Sequence, residues 1–147
     1  MTTPFSYAVN FQIRHPTKHA NELAVGFPWE AQVSWTVGDE RTTPKGVRIG
    51  GTRSQSYCTF RVEKGDDGEL AACLSRTTDA LAVHREHLAE LRRSGGRLSF
   101  YVYWYPNGDT GEVFSAELMA KMASLGIDFG LNVYDDRSEE GQVREFA

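Results

Sequence analysis

Apolar and polar residues alternate along several short stretches of the chain, most clearly over residues 97–106. Because side chains on a strand point alternately to opposite faces, this stretch separates into two sets. One set is apolar and predicts the side that faces the core: Leu98, Phe100, Val102 and Trp104. The other set predicts a second face with more ring surface than a solvated face needs: Ser99, Tyr101, Tyr103 and Tyr105.

The same two-residue period predicts further strands over residues 7–14, 31–37, 57–63 and 127–134. Residues 41–51 contain several glycines and Pro44 and show little periodicity. They predict either a loop or the far arm of a hairpin.

A helical period is clearest over residues 69–93, where apolar residues recur three, four or seven positions apart. This pattern predicts one long helix with a bend near Thr77 and Thr78. A shorter helix is predicted over residues 17–25, because Pro16 suits a first helical turn and a thin apolar stripe follows it.

The third predicted helix has the clearest start signal. Ser115 has the side chain of an N-cap, and Phe114 and Met119 are placed as a hydrophobic staple around the first turn. Strands that alternate with helices bearing one apolar stripe predict an α+β fold. We expect a two-layer sandwich in which helices pack on one face of a mixed or antiparallel sheet of about four to six strands. Residues 6–136 would form a single domain, and residues 137–147 a polar C-terminal tail.

Composition narrows the class of protein. A chain of 147 residues can bury one sizeable core, and its net charge of −4 argues against bulk binding of nucleic acid or anionic membranes. Cys58 and Cys73 are too few for a disulfide framework or a zinc ligand set. The first residues lack an export signal, and no apolar run is as long as a membrane span. We therefore expect a cytoplasmic protein.

The outward positions of the predicted strands define a candidate binding face that holds five of the six tyrosines. Its residues are Gln12, Arg14, Tyr57, Arg61, Tyr101, Tyr103, Tyr105, Asn132 and Tyr134. Residues 28–51 of the same chain, or a second copy of the chain, would cover this face most simply, because large apolar patches are rarely left bare. A small ligand or a foreign protein is the remaining alternative.

The sequence gives only weak indications of phosphate binding, metal binding or cysteine chemistry. The cations of residues 41–61 are interleaved with glycines but do not match a phosphate-binding loop, so a solvated loop is the simpler interpretation. His84 and His87, like His15 and His19, have helical spacing for a shared metal, but no third ligand is spaced to complete a shell. Cys58 lies at an inward position of its predicted strand and Cys73 near the buried stripe of its predicted helix, so both thiols are expected to be packed in the core. We expect no metal, no cofactor and no catalytic residue.

The order of motifs resembles a bacterial family known as domain of unknown function 4279. The motifs are Leu-Ala-Val-Gly-Phe-Pro at 23–28, Trp35 followed by Gly38-Asp39, His87-Leu88 in the long helix, Tyr-Trp-Tyr at 103–105, and Ser-x-Glu-Leu to Leu-Gly-Ile-Asp-Phe over 115–129. Trp29 departs from the Thr that family members usually have after the proline, and the strand over 57–60 lacks their Trp. The family has no assigned activity, so the resemblance implies a fold and a bacterial origin but transfers no catalytic residue.

These observations favour binding over catalysis. We expect a non-enzymatic protein-interaction or self-association domain, forming a homo-oligomer or binding an unidentified protein through its aromatic sheet face. The alternative is a small-molecule or single-stranded nucleic-acid binder that uses the same face. Nucleic acid is the less favoured partner, because only Arg14 and Arg61 are expected among the tyrosines.

Overall fold

The computed structural model describes residues 4–134, which form four helices and seven strands. In chain order these are β1 (Ser6–His15), α1 (Ala20–Ala24), β2 (Ala31–Trp35), β3 (Glu40–Thr42), β4 (Arg48–Thr52), β5 (Ser56–Gly65), α2 (Leu70–Ala82), α3 (Arg85–Arg93), β6 (Arg97–Tyr105), α4 (Ala116–Ser124) and β7 (Ile127–Val133). The main sheet has the order β2-β5-β1-β6-β7, and β3 pairs with β4 in a separate hairpin. Only β7 runs parallel to its neighbour in the main sheet, which is therefore mixed as predicted.

The middle strand, β1, organises the main sheet because it is hydrogen-bonded along its length to β5 and to β6. Tyr7, Val9, Phe11 and Ile13 point into the core and are almost fully buried. Rings from the two neighbouring strands meet Phe11 there, with ring centroids 6.3 Å from Phe60 and 5.8 Å from Phe100.

The helices pack against this apolar side of the sheet. Their buried leucines join the strand residues in one core cluster: Leu70, Leu74, Leu81, Leu88, Leu91 and Leu118. The opposite side of the main sheet carries none of these helical residues. The predicted α+β arrangement of two layers is thus confirmed. A search of residues 4–134 finds no helix with the length and hydrophobicity of a membrane span.

The predicted long helix is two helices, and the break lies at Val83 and His84 rather than at the two threonines. Thr77 and Thr78 lie inside α2, where each hydroxyl donates to the carbonyl oxygen four residues earlier. At the break, the N–H of His84 donates to the carbonyl of Leu81 in a tighter turn. This turn separates α2 from α3, and both helices keep their leucines in the core.

The two start signals predicted for α4, an N-cap and a hydrophobic staple, have different outcomes. Ser115 is the N-cap of α4, because its Oγ accepts from the N–H of Leu118 at 3.0 Å. The predicted staple is wrong, since Met119 is exposed and the ring of Phe114 packs on Phe129 instead, with centroids 5.2 Å apart.

The first helix is shorter than predicted. It begins at Ala20, with His19 as N-cap, instead of near Pro16. The residues before it are held in a turn by the ring of His15, whose Nδ1 accepts from the N–H groups of Thr17 and Lys18.

The segment over residues 28–51 extends the main sheet beside Tyr57 and adds no strand next to the tyrosines of β6. Its first part adds β2 at one edge of the sheet, beside β5, whereas β6 lies on the far side of β1. Residues 40–52 form the β3–β4 hairpin, one of the two arrangements that the sequence left open. The predicted tail over 137–147 lies outside the described residues, and the single-domain boundary stays a prediction.

A glycine fixes the junction between α3 and β6. A Cβ on Gly96 would lie 2.6 Å from the carbonyl oxygen of Leu91 and 3.0 Å from Cδ2 of His15. We expect Gly96→Ala to lower the free energy of unfolding by about 1–3 kcal/mol, since backbone atoms must move to admit the methyl group. Urea denaturation measures this change.

Gly111→Ala is the matched control, because a Cβ there meets no atom within 4 Å and the residue does not have a positive φ. The control should be neutral or slightly stabilising, as it restricts the unfolded chain. Equal stability of the two variants would contradict the steric explanation.

Candidate functional site

The side of the main sheet away from the helices, called here the open face, collects the predicted binding residues. Register fixes its central rows: Asn10 lies opposite Tyr101 and Arg61, while Gln12 lies opposite Ser99 and Thr59. Every residue of the predicted binding face is on this side of the sheet, and its members come from four strands and from Tyr134 just after β7.

The members of the open face differ in exposure. Gln12 and Tyr57 are only 5% and 4% exposed, so they support the surface instead of forming it. Tyr105 is the most open of the rings on β6, whereas Tyr101 and Tyr103 are half-buried. Only part of the predicted face can therefore touch a partner.

Four tyrosines form a continuous ring cluster at one end of the open face. The centroids of Tyr101 and Tyr103 are 5.3 Å apart, and Tyr103 is 6.2 Å from Tyr134. Tyr134 stacks on Tyr105 with centroids 4.8 Å apart and planes 12° apart. A Cβ on Gly130 would lie 2.9 Å from the ring of Tyr101, so this glycine gives the ring room beside β7. The rings are thus packed on one another.

Two predicted arginines lie over rings of the face. The guanidinium carbon of Arg14 is 4.5 Å from the ring centroid of Tyr57, and that of Arg61 is 5.9 Å from Tyr103. The Nε of Arg61 also donates to Oδ1 of buried Asn10 at 2.6 Å. Within residues 4–134, no carboxylate lies within ion-pair distance of either guanidinium group.

The structure adds a third pair of an arginine and an aromatic ring, which the sequence did not predict. Trp35 lies opposite Tyr57 in the register of β2 and β5, with ring centroids 4.6 Å apart. The guanidinium of Arg53 stacks over Trp35 at 3.8 Å, and its Nη2 donates to the carbonyl of Thr42. Strand alternation alone could not assign Trp35 to this face, since the pairing of β2 with β5 had to be known.

One more cation could have been found from the sequence. Arg97 lies opposite Arg14 in the register of β1 and β6, in the same phase of β6 as the tyrosines. Arg48, from the cationic stretch that was predicted to be a solvated loop, does stay on the hairpin, where its Nε lies 3.3 Å from a carboxylate oxygen of Glu40. Arg53 and Arg61 from the same stretch reach the open face.

The charge of the open face is therefore opposite to the charge of the whole chain. Strand register places four cations on it: Arg14, Arg61, Lys64 and Arg97. Within the described strands of the main sheet, Asp128 is the one acidic residue on this side. A chain with a net charge of −4 thus presents a positive face among its tyrosines.

The phenols of this face are hydrogen-bond donors at neutral pH. Burial raises the pKa of Tyr103 to about 12, and it also raises the pKa values of Tyr101 and Tyr105. The arginines and the protonated phenols together supply N–H and O–H donors. The chemistry of the face suits a partner rich in acceptors, above all carboxylates.

The remaining reactive groups are placed for packing. Burial raises the pKa of Cys58 to about 11 and that of Cys73 to about 12, so both thiols stay protonated. The rings of His84 and His87 pack on Phe27, with centroids 5.0 Å and 5.7 Å away. Nowhere in residues 4–134 do three His, Cys, Asp or Glu side chains gather as a metal site would require.

The raised phenol pKa values predict a loss of stability in alkali. The unfolded chain loses its phenol protons near pH 10, whereas folded Tyr103 keeps its proton until about pH 12. In this window the folded state binds more protons, so the free energy of unfolding should fall as the pH rises above about 10. Urea denaturation at intervals from about pH 8 to pH 11 measures the fall.

Tyr103→Phe removes one of these phenols, and its stability should decline less steeply over the same pH range. An identical slope in the variant would contradict the assignment of the alkaline loss to this ring.

The comparison with known proteins identifies a family without an assigned function. No curated protein and no solved structure matches the chain. The family described as Domain of unknown function (DUF4279) matches residues 5–136, which include every strand and helix described above. The chain belongs to the DUF4279 family.

Proposed function

We propose that this protein is a non-enzymatic binding domain whose open face docks an acidic segment of a partner protein. The observation that carries the proposal is the set of arginines laid over aromatic rings without acidic partners in the described chain. Arg14 lies over Tyr57, and Arg61 lies over Tyr103. We also propose a bacterial, cytoplasmic setting, which two free and buried cysteines support.

Ring stacking prepares a guanidinium group for a carboxylate. An arginine that lies flat on a ring keeps the N–H groups at its edge available, and its planar fork matches two carboxylate oxygens. Because the stacked side chain is already ordered, less conformational entropy is lost when a carboxylate binds. Protonated Tyr103 and Tyr105 add O–H donors beside the arginines.

The same charges disfavour direct face-to-face self-association. Arg14 and Arg97 are already neighbours across β1 and β6. A second copy of this face would add more positive charge, with Asp128 as the one acidic residue on its described strands. Like charges at a desolvated interface cost several kcal/mol, so an acidic partner fits the face better than its own copy.

Single-stranded nucleic acid is the second candidate, favoured by the combination of rings and guanidinium groups on one sheet. Base stacking needs ring faces that are free, and here Tyr105 and Tyr134 stack on each other. An acidic peptide needs only the donors at the edges of the rings and guanidinium groups. The geometry therefore favours carboxylates over bases.

Fluorescence anisotropy with a labelled oligoglutamate peptide tests the proposal, with a labelled oligothymidine of equal charge as the competing probe. We expect the peptide to bind at low ionic strength. Arg14→Gln combined with Arg97→Gln should raise its dissociation constant at least roughly tenfold, since one charged hydrogen bond contributes about 1.5–3 kcal/mol net and about 1.4 kcal/mol is a factor of ten.

Arg85→Gln combined with Arg93→Gln is the matched control, because it removes the same charge from exposed positions on α3. Equal weakening by both double variants would reduce the effect to net charge and contradict a specific face. No binding of oligoglutamate would reject the acidic-partner proposal. Tighter binding of oligothymidine, lost in the Arg14 and Arg97 variant, would support the second candidate instead.

A further inference from the structure

The outer edge of β7 is the second unpartnered surface of the main sheet. Its register with β6 is unbroken from Ile127 to Val133, whereas the pairing of β2 at the other edge is irregular. Within residues 4–134 no strand pairs with this outer edge. An edge of this length, without proline and with a single charged residue, is a template for pairing with another strand.

Three of the four large apolar side chains of β7 are exposed to solvent. On the side of the sheet that carries the helices, Phe129, Leu131 and Val133 are 37%, 45% and 57% exposed. Phe114, in the segment before α4, packs on Phe129, and its neighbour Val113 is exposed. The edge therefore offers backbone hydrogen-bonding groups and an apolar strip together.

The direction of the backbone groups follows from one hydrogen bond. The N–H of Tyr134 donates to the carbonyl oxygen of Trp104 on β6. Since backbone groups alternate in direction along a strand, the odd-numbered residues from Ile127 to Val133 direct theirs to the outer edge. Three of these four residues, Phe129, Leu131 and Val133, also have exposed side chains, whereas Ile127 is buried.

The sequence of β7, Ile-Asp-Phe-Gly-Leu-Asn-Val, complements itself when it is read in opposite directions. In an antiparallel pair centred on Gly130, Phe129 lies opposite Leu131, and Ile127 lies opposite Val133. These pairs join apolar side chains and form between residues whose backbone groups point outward.

The charges are complementary in the same register. Asp128 lies opposite Asn132 of the second copy and not opposite its own copy, so no like charges meet. The amide Nδ2 of Asn132 has no hydrogen-bond partner in the described chain, and turning the amide toward the edge lets it donate to this carboxylate. A shift of one residue would set Asp128 beside an apolar side chain and lose the pairing.

We propose that β7 pairs with β7 of a second copy, antiparallel and around a two-fold axis at Gly130, so that two copies share one continuous sheet. The pairing is isologous, because each Phe129–Leu131 contact occurs twice. It uses the edge of the sheet and leaves the open face uncovered. It therefore does not depend on the acidic-partner proposal, and failure of one leaves the other standing.

Sedimentation equilibrium or light scattering over a concentration series tests the dimer. We expect twice the mass of the 16.5 kDa chain at high concentration. Leu131→Lys should raise the dissociation constant of the dimer roughly tenfold or more, because it sets an ammonium group against the ring of Phe129. Val83→Lys is the matched control, since Val83 is 82% exposed at the break between α2 and α3.

A cross-link tests the register without relying on a destabilised variant. Opposed residues whose backbone groups point away from each other have Cα atoms about 4.5 Å apart, within the range of a disulfide. Asp128→Cys and Asn132→Cys, mixed and oxidised, should form a covalent heterodimer, whereas neither variant alone should cross-link.

Three results would overturn the proposal. They are a monomer at every concentration, equal weakening of the dimer by Leu131→Lys and Val83→Lys, and a mixture of the two cysteine variants that stays uncross-linked.

Discussion

Burial of β1 on both faces is the constraint on which the rest of this structure depends. The strand lies in the middle of the main sheet, and every residue from Tyr7 to Ile13 is buried. Helices cover its apolar side, but its other side carries Asn10 and Gln12, which cannot be left dry and unpaired. The side chains of the open face therefore have to shield Asn10 and Gln12 from solvent.

The covering residues are those that give the face its binding character. Arg61 donates to Asn10 and places its charge among the tyrosines in doing so. The rings of Tyr101 and Tyr103 supply the area that shields β1, and Gly130 admits the first of these rings. An arginine and tyrosine surface thus follows from the need to bury a central polar strand.

The strands were largely predictable because alternation is a local property. β1, β5, β6 and β7 begin and end within about two residues of the predicted positions, and alternation assigned every predicted face residue to the correct side. The features that the sequence did not predict depend on contacts between residues that are distant in the chain. Gln12 and Tyr57 are buried by residues on neighbouring strands, and Trp35 joins the face only through β5. The break after α2 likewise depends on how two helices reach one core, which local spacing does not contain.

The positive charge of the open face also determines which dimer would leave that face accessible to a partner. A dimer that buried Arg14 and Arg97 against their own copies would spend association energy on like-charge repulsion. Pairing through β7 avoids this, since the edge contributes only Asp128, opposite a neutral amide. The two open faces would then lie side by side on one continuous sheet and remain accessible. An acidic partner long enough to cross the two-fold axis could engage both faces, which raises its overall affinity without any new kind of contact.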